Sequence, residues 1–184
     1  IRLNESLRDR APLEIGVQKW KNMRLNFLYL GVNELNVVPE SICSIAHNLS
    51  TLNINDSWFT NNATDSLGGG FYLSGNSFLE LNSSTIHTNS ARNGAGIYAS
   101  GSSILNLDST NFESNQAFRY GGGVYSYGNS DLTMSNSELN SNISLNNGGG
   151  IYASGESSLT IDNIISSSNR ADFFGGGFYI GNNS

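Results

Sequence analysis

The sequence predicts an all-β fold, a parallel β-solenoid (β-helix) with coils of about 27 residues and three short strands per coil. Three observations predict it: a glycine-rich triplet that recurs at nearly constant spacing, apolar residues at fixed places in every repeat, and apolar–polar alternation of period two inside each segment. Such short strands cannot close a core alone. Stacked on their copies about 4.8 Å apart along one axis, they can.

The glycine triplets set the repeat frame. They begin at Gly68, Gly94, Gly121, Gly148 and Gly175, so successive repeats are 26, 27, 27 and 27 residues apart. Each glycine costs roughly 0.5–1 kcal/mol of extra backbone entropy relative to alanine. A recurring corner without room for a side chain explains why the triplet is repeated. We therefore expect at least one glycine of every triplet to have a positive φ.

The apolar columns follow from numbering each repeat from its first glycine. Positions 4, 6, 12, 14 and 19 are predicted to point inward, and position 12 holds Leu79, Leu105, Leu132 and Leu159. The frame extends one repeat backwards, through Leu52, Ile54 and Phe59. In the last full repeat Ser166 falls on position 19, and Ile165 is expected to replace it by a one-residue shift.

Two residue types, one polar and one aromatic, each recur at a fixed position of the frame. Position 22 is always asparagine and position 5 is always tyrosine: Asn62, Asn89, Asn115, Asn142 and Asn169; Tyr72, Tyr98, Tyr125, Tyr152 and Tyr179. We expect the asparagines to form a buried ladder bonded from coil to coil, the alternative being surface turn residues. The tyrosines should form an exposed ladder. It serves either to stabilise the surface or to dock a sugar or another protein.

Residues 49–184 form the predicted regular coils, and the chain before them, residues 1–48, fits the frame poorly. Residues 25–48 are interpreted as an irregular first coil, with Leu25 and Phe27 under Leu52 and Ile54. The alternative is a leucine-rich-repeat-like segment, because the leucines from Leu25 to Leu35 follow that spacing. Residues 1–24 hold six of the nine basic residues and are interpreted as an N-terminal cap or contact segment.

Composition limits the partners. The net charge is −6 and the pI is about 4.7, which argues against nucleic acid as a partner. No apolar run is long enough for a transmembrane helix, so a direct membrane span is not expected. The single cysteine, Cys43, cannot form an internal disulfide, and no role is assigned to it.

No catalytic, cofactor-binding or metal-binding residues are predicted. Asp108 and Asp162 share position 15 but lie two coils apart, about 10 Å, with Ser135 between them. They are interpreted as solvated turn aspartates. His47 and His87 have no acid or thiol partner at a useful spacing. The sequence therefore predicts a protein that is not an enzyme and needs no cofactor.

Seven Asn-X-Ser/Thr sequons occur in the chain. Asn62 and Asn142 belong to the predicted asparagine ladder and should be inaccessible. The glycosylation candidates are Asn55 and Asn82, which should face outward on one turn of successive coils, together with Asn4, Asn48 and Asn182.

The motifs GGGIYAS (148–154) and NFESN (111–115) resemble the GGA-[ILV] and F-x-x-N repeats of chlamydial-type polymorphic outer-membrane proteins. The resemblance covers about residues 49–184. The third small residue is glycine here rather than alanine, and no autotransporter barrel is present. The resemblance implies a right-handed parallel β-helix and a secreted or surface-displayed adhesion or structural protein.

The expected function is that of a non-enzymatic, extracellular structural or adhesive protein. Its partners would be copies of itself, other surface proteins or glycans, and end-to-end stacking would make it a subunit of a surface filament or stalk. The alternative is a carbohydrate-binding or carbohydrate-degrading β-helix whose active residues lie outside this segment. A third reading is a receptor ectodomain with a leucine-rich-repeat cap.

Overall fold

The computed structural model describes the backbone of residues 27–30 and the whole of residues 51–181. Every regular element in these ranges is a β-strand, and every strand pairing is parallel. The strands are β1 Phe27–Leu30, β2 Thr51–Asn55, β3 Trp58–Thr60, β4 Phe71–Leu73, β5 Phe78–Asn82, β6 Thr85–His87, β7 Ser90–Asn93, β8 Ile97–Ala99, β9 Ile104–Asp108, β10 Asn111–Glu113, β11 Gln116–Tyr120, β12 Val124–Tyr127, β13 Asp131–Asn140, β14 Ile143–Ser144, β15 Ile151–Ser154, β16 Ser158–Ser167, β17 Arg170–Ala171 and β18 Phe178–Ile180.

The strands form a parallel β-solenoid of about five coils, as predicted. Each coil crosses three sheets. The tyrosine sheet contains β4, β8, β12, β15 and β18, and the small sheet contains β7, β11, β14 and β17. The remaining nine strands form the long sheet, in which β13 and β16 each fuse two strand segments that are separate in earlier coils. The first coils thus carry four short strands and the later coils three.

The core is a set of apolar columns along the solenoid axis. The leucines at position 12 pair in register from coil to coil, so each leucine side chain lies over the leucine of the neighbouring coil. They are Leu52, Leu79, Leu105, Leu132 and Leu159. Leu79 and Leu105 are fully buried. Burying such a side chain contributes about 1.5–3 kcal/mol relative to leaving it exposed. The phase predicted from the sequence is confirmed for these columns.

Four corners of each coil use the left-handed backbone conformation. The first glycine of every triplet has φ between 60° and 67°, which confirms the expectation for the triplets. Position 8 is also a glycine with positive φ in four coils, from Gly75 to Gly155. At positions 16 and 21 the same conformation is taken by Asn, Asp, Ser and Thr: Asp56, Ser83, Ser109, Asn136, Asn163, Asn61, Thr88, Ser114, Ser141 and Ser168.

The third glycine of the triplet is required by close approach rather than by its φ. A Cβ added to Gly123 would lie 2.6 Å from the carbonyl oxygen of Gly150 in the next coil and 3.3 Å from Leu139. Real Cβ atoms do not approach backbone oxygens so closely. This column of glycines lets adjacent coils touch through their backbones next to the apolar core.

Two sequence-based expectations of register are wrong. Ile165 does not replace Ser166, because β13 and β16 pair through Leu139 and Ser166 and leave Ile165 61% exposed. The hydrogen-bonded register of these long strands leaves no room for a one-residue slip. At the other end, β1 pairs Leu28 with Leu52 and Leu30 with Ile54, rather than Leu25 and Phe27.

That offset of 24 residues is the spacing of the leucine-rich-repeat-like pattern, not the 27-residue period of the coils. The proposed cap (1–24), most of the segment 25–48 and Cys43 lie outside the described residues.

Candidate functional site: a stacked tyrosine column

The tyrosine column lies on the outer face of the tyrosine sheet. In β4 the buried Phe71 and Leu73 flank the half-buried Tyr72, and this alternation recurs in β8, β12 and β15. Because the strands pair in register, each tyrosine is opposite the tyrosine of the next coil. The period-two alternation therefore turns every position-5 ring outward and stacks the five rings along the axis.

The rings are stacked nearly parallel. Successive centroids are 5.3, 4.9, 5.0 and 4.9 Å apart from Tyr72 to Tyr179, and successive ring planes differ by 2–9°. Each ring covers part of its neighbours, so the five tyrosines are half-buried rather than fully exposed. Offset parallel stacking at this distance is favourable by about 0.5–1.5 kcal/mol per pair beyond area burial.

Two further tyrosines widen the column at its centre. Tyr120 packs on Tyr152 at 4.9 Å and lies 6.4 Å from Tyr125. Tyr127, which is 48% exposed, lies 6.2 Å from Tyr125 on the other side. Neither of them was predicted to join the column, although both lie within two residues of a triplet or a column position. They enlarge the aromatic surface around Tyr125.

Two phenol groups of the column, those of Tyr98 and Tyr125, have raised pKa values. Burial, with the neighbouring phenols, raises the pKa of Tyr125 well above its usual value. Burial also raises the pKa of Tyr98, against a smaller opposing effect of its hydrogen bond with Ser100. Tyr98 and Tyr125 therefore stay neutral to a higher pH than an ordinary tyrosine. Because the rings stack face to face, the column presents ring edges and hydroxyl groups outward.

The asparagine column lies inside the corner between the long sheet and the small sheet, and its side chains are fully hydrogen-bonded. The side-chain amide of Asn115 donates to the carbonyl of Ile86 at 2.9 Å and to the side-chain oxygen of Asn142 at 2.9 Å. Its own side-chain oxygen accepts from the backbone and the side-chain amide of Asn89, both at 3.0 Å. The same pattern links Asn62 to Asn89 and Asn142 to Asn169.

Two more buried polar columns stabilise the corners, and the sequence analysis missed both. Position 10 is a buried serine in four coils, whose hydroxyl donates to a carbonyl three residues back in Ser77, Ser103 and Ser130. Position 17 holds Ser57, Ser84, Thr110 and Ser137, all buried. Both columns recur in the frame, but serine is too common in this chain for the recurrence to stand out.

The sequon pair Asn55 and Asn82 lies in the outward column at position 15. The side-chain amide of Asn82 donates to the side-chain oxygen of Asn55 at 2.9 Å, so these two candidate glycosylation sites are side by side on adjacent coils. Asn62 and Asn142 are buried in the asparagine column. Asn4, Asn48 and Asn182 lie outside the described residues.

Asp108 continues the same outward column. Its carboxylate accepts hydrogen bonds from Ser135 at 2.7 Å, Asn136 at 2.8 Å and Ser109 at 3.2 Å. These bonds hold the pKa of Asp108 below its usual value. Asp162 pairs in register with Ser135, one coil beyond. The two carboxylates are thus separated by a whole coil, and Asp108 is kept as an ion that accepts rather than donates.

Residues 51–181 hold neither a cluster of metal ligands nor a membrane-spanning helix. Within that range no group of three or more His, Cys, Asp or Glu side chains is placed to hold a metal ion. The same part of the chain has no helix with the length and apolar character to cross a membrane.

Comparison of the chain with models of protein families, with curated proteins and with solved structures finds no match. The tyrosine column therefore has to be interpreted from its own geometry.

Proposed function

We propose that this chain is a non-enzymatic extracellular solenoid with a structural or adhesive role, and that its tyrosine column is the adhesive surface. The tyrosine column carries the proposal. Other outward columns vary from coil to coil, as position 13 does through Asn53, Glu80, Asn106, Thr133 and Thr160. Packing of the core does not require one particular residue at an outward position. An outward residue that repeats in every coil is therefore best explained by a surface interaction along the axis.

The carboxylates support a role without catalysis. Acid–base hydrolysis of glycosides uses two carboxyl groups facing one bond, one of them held protonated as a general acid. In residues 51–181, Asp108 and Asp162 are one above the other with Ser135 between them, and the pKa of Asp108 is lowered. Neither feature suits a general acid.

The resemblance of the GGGIYAS and NFESN segments to polymorphic outer-membrane protein repeats supports an extracellular location. We extend the proposal to right-handed winding, because nearly all parallel crossover connections in proteins are right-handed.

End-to-end association is the form of the structural role that the parallel stacking of coils favours. Each coil presents its strands to the next in register, as Leu132 of β13 does to Leu159 of β16. A coil of a second copy of this chain could pair in the same way. Head-to-tail contact of this kind produces a filament.

The alternative, a carbohydrate-binding or carbohydrate-degrading β-helix, shares the binding surface with this proposal. The aromatic column favours binding over degradation, because no carboxylate lies on the strand–turn segments that carry it before Glu156.

Immunogold labelling of intact cells of the source organism tests the location and role. Antibodies against this chain should label the cell exterior or extracellular material without permeabilisation. Purified chain should release no reducing sugar from neutral or acidic polysaccharides. Labelling only after permeabilisation, or release of sugar, would overturn the proposal.

Sedimentation tests end-to-end association. The full chain should form species that grow with concentration. Ile161→Lys with Ile180→Lys should return it to monomer, because these side chains, 38% and 59% exposed, lie at positions 14 and 6 of the apolar columns, on which a coil of a second copy would pack. Ile104→Lys is the matched control, because Ile104 is similarly exposed (40%) but faces outward in a middle coil. A wild-type chain that stays monomeric at every concentration would contradict end-to-end stacking.

A further inference from the structure

The tyrosine face is uncharged along nearly its whole described length. The ten-residue segments that begin at each triplet, positions 1–10 of the frame, contain a single charged residue, Glu156, in residues 68–157. The final segment, from Gly175 to Gly181, contains none. Protein partners normally meet a polar and charged rim around an apolar centre. A strip of this length without charges is suited to a neutral ligand.

Small residues border much of the column along the axis. On one side the column is bordered by the glycine triplets, and on the other by the small turn residues at positions 7–10, such as Ser74, Gly75, Ser100 and Gly101. Tyr120 and Tyr127 lie beside the central ring, Tyr125, and the exposed Phe174 directly precedes the last triplet. A long ligand along this strip would pass these aromatic side chains and otherwise mostly small residues.

The column repeats at a distance that matches a polymer. Its rings are spaced by 4.9–5.3 Å, because the coils are spaced by the strand–strand distance of about 4.8 Å. In an extended β-linked polysaccharide the chain advances by the length of one pyranose ring per sugar, which is close to the same spacing. Sugar rings offer apolar C–H faces and hydroxyl groups. The tyrosine column offers a partner for both, since its outward ring edges are apolar and its hydroxyls donate and accept.

We propose that the tyrosine column binds a neutral, extended, β-linked polysaccharide that runs along the solenoid axis with one sugar over each tyrosine. The inference rests on the proposed adhesive function and names its ligand class. Stacked rings are held rigid before binding, so little side-chain entropy is lost when the ligand arrives. The ligand gains affinity by repeating one weak contact, so affinity should rise with each added sugar until the column is covered.

Calorimetric titration of the full chain with linear oligosaccharides tests this inference. Oligomers of β-1,4-linked glucose or N-acetylglucosamine should bind with an affinity that rises from two to five sugars and then levels off. Affinity should be nearly independent of salt, because no ion pair is formed. Maltohexaose, which is α-linked and coils, and oligogalacturonate, which is acidic, are the controls of shape and charge. Equal binding of either control, or strong salt dependence, would overturn the proposal.

Variants locate the contact. Tyr125→Ala should weaken binding of the β-linked hexamer roughly tenfold, since it removes the central ring contact. Tyr125→Phe keeps the ring and should lose much less. Thr133→Ala is the matched control, because Thr133 is exposed in the same coil but on the long sheet, and it should bind like the wild type. Unfolding curves of each variant show whether it is folded. Unchanged affinity in a folded Tyr125→Ala variant would refute the assignment.

Two further outcomes separate this inference from the proposed function. Exterior labelling of cells without binding of any neutral β-linked oligosaccharide would refute the ligand class and leave the adhesive role standing. If Tyr125→Ala abolishes self-association in sedimentation while no sugar binds, the column is an interface between copies of this chain and the glycan proposal is wrong.

Discussion

The asparagine and tyrosine columns each repeat one residue type in every coil, yet they lie on opposite sides of the backbone. The asparagines are buried in a corner, where each amide satisfies carbonyl and amide groups of neighbouring coils. The tyrosines face outward, where the solenoid could accept many residue types. Strict repetition inside the molecule is therefore a requirement of the fold, whereas strict repetition outside it points to an interaction.

The largest effect expected from this comparison is the loss of one buried asparagine. Asn115→Ala removes two donated and two accepted hydrogen bonds, among them the side-chain bond to the carbonyl of Ile86, and leaves the backbone amide of Asn89 without its partner. Each unsatisfied buried group costs about 1–3 kcal/mol, so we expect a loss of about 3–4 kcal/mol in the free energy of unfolding. Urea denaturation followed by circular dichroism measures it.

Asn106→Ala is the matched control, because Asn106 lies in the same coil but its side chain faces outward. It should change the free energy of unfolding by less than about 0.5 kcal/mol. Similar losses for the two variants would show that burial of the asparagine column contributes nothing special to the fold.

A smaller effect is expected when the outward column is broken. Tyr125→Ala removes stacking on Tyr98 and Tyr152, at 4.9 and 5.0 Å, but leaves no buried polar group unpaired. We expect a loss of about 1–2 kcal/mol, since each aromatic pair contributes about 0.5–1.5 kcal/mol. Tyr125→Phe should lose little. A Tyr125→Ala loss as large as that of Asn115→Ala would mean that the tyrosines are repeated for stability, and the argument for a binding surface would fail.

The tyrosine column should also make stability sensitive to alkaline pH. The pKa of Tyr125 is raised in the folded chain, whereas in the unfolded chain a tyrosine titrates near pH 10. Below about pH 10 both states hold the proton, so this group adds no pH dependence there. Above it the unfolded chain releases the proton first, so stability falls as pH rises towards the folded pKa.

Urea midpoints measured between about pH 9 and pH 11.5 should therefore decline, and the decline should be shallower in Tyr125→Phe. Asn106→Ala, which removes no phenol, should keep the wild-type slope. An identical slope in Tyr125→Phe would show that Tyr125 releases its proton as easily in the folded state as in the unfolded state.

The sequence was sufficient to predict features that depend on one repeated frame. The leucine column, the positive φ of the first triplet glycine and the parallel stacking all follow from period-two alternation and a fixed repeat length. The Ile165 prediction failed because hydrophobicity was weighed above strand register, and the continuous pairing of β13 with β16 fixes Ser166 at the inward position.

Contacts that arise from irregular coils were not predictable. The coil that begins at Gly68 is one residue shorter than the others, so the pairing of β7 with β11 shifts register between Ala117 and Tyr120. Tyr120 then packs on Tyr152 and joins the candidate site. Nothing in the alternation pattern indicates where an extra residue bulges or which way its neighbour turns.

The smallest expected effect concerns the outward column at position 15, which varies from coil to coil and is neither buried nor uniform. The pKa of Asp108 is lowered first by the hydrogen bond from Ser135 and then by that from Asn136. A lowered folded pKa stabilises the chain above the unfolded pKa of the carboxyl group, and this stability is lost as pH falls through the folded pKa.

Carboxyl NMR titration should therefore show the pKa of Asp108 rising in Ser135→Ala, and rising less in Ser109→Ala, whose bond to Asp108 is longer at 3.2 Å. Since the carboxylate is near solvent, the urea midpoint at neutral pH should barely move in Asp108→Asn, and its small deficit should vanish in acid. A large drop in the urea midpoint of Asp108→Asn at neutral pH would show that this variable column contributes to stability as the asparagine column does. Strict repetition of a residue would then no longer distinguish the columns that the fold requires from those that it tolerates.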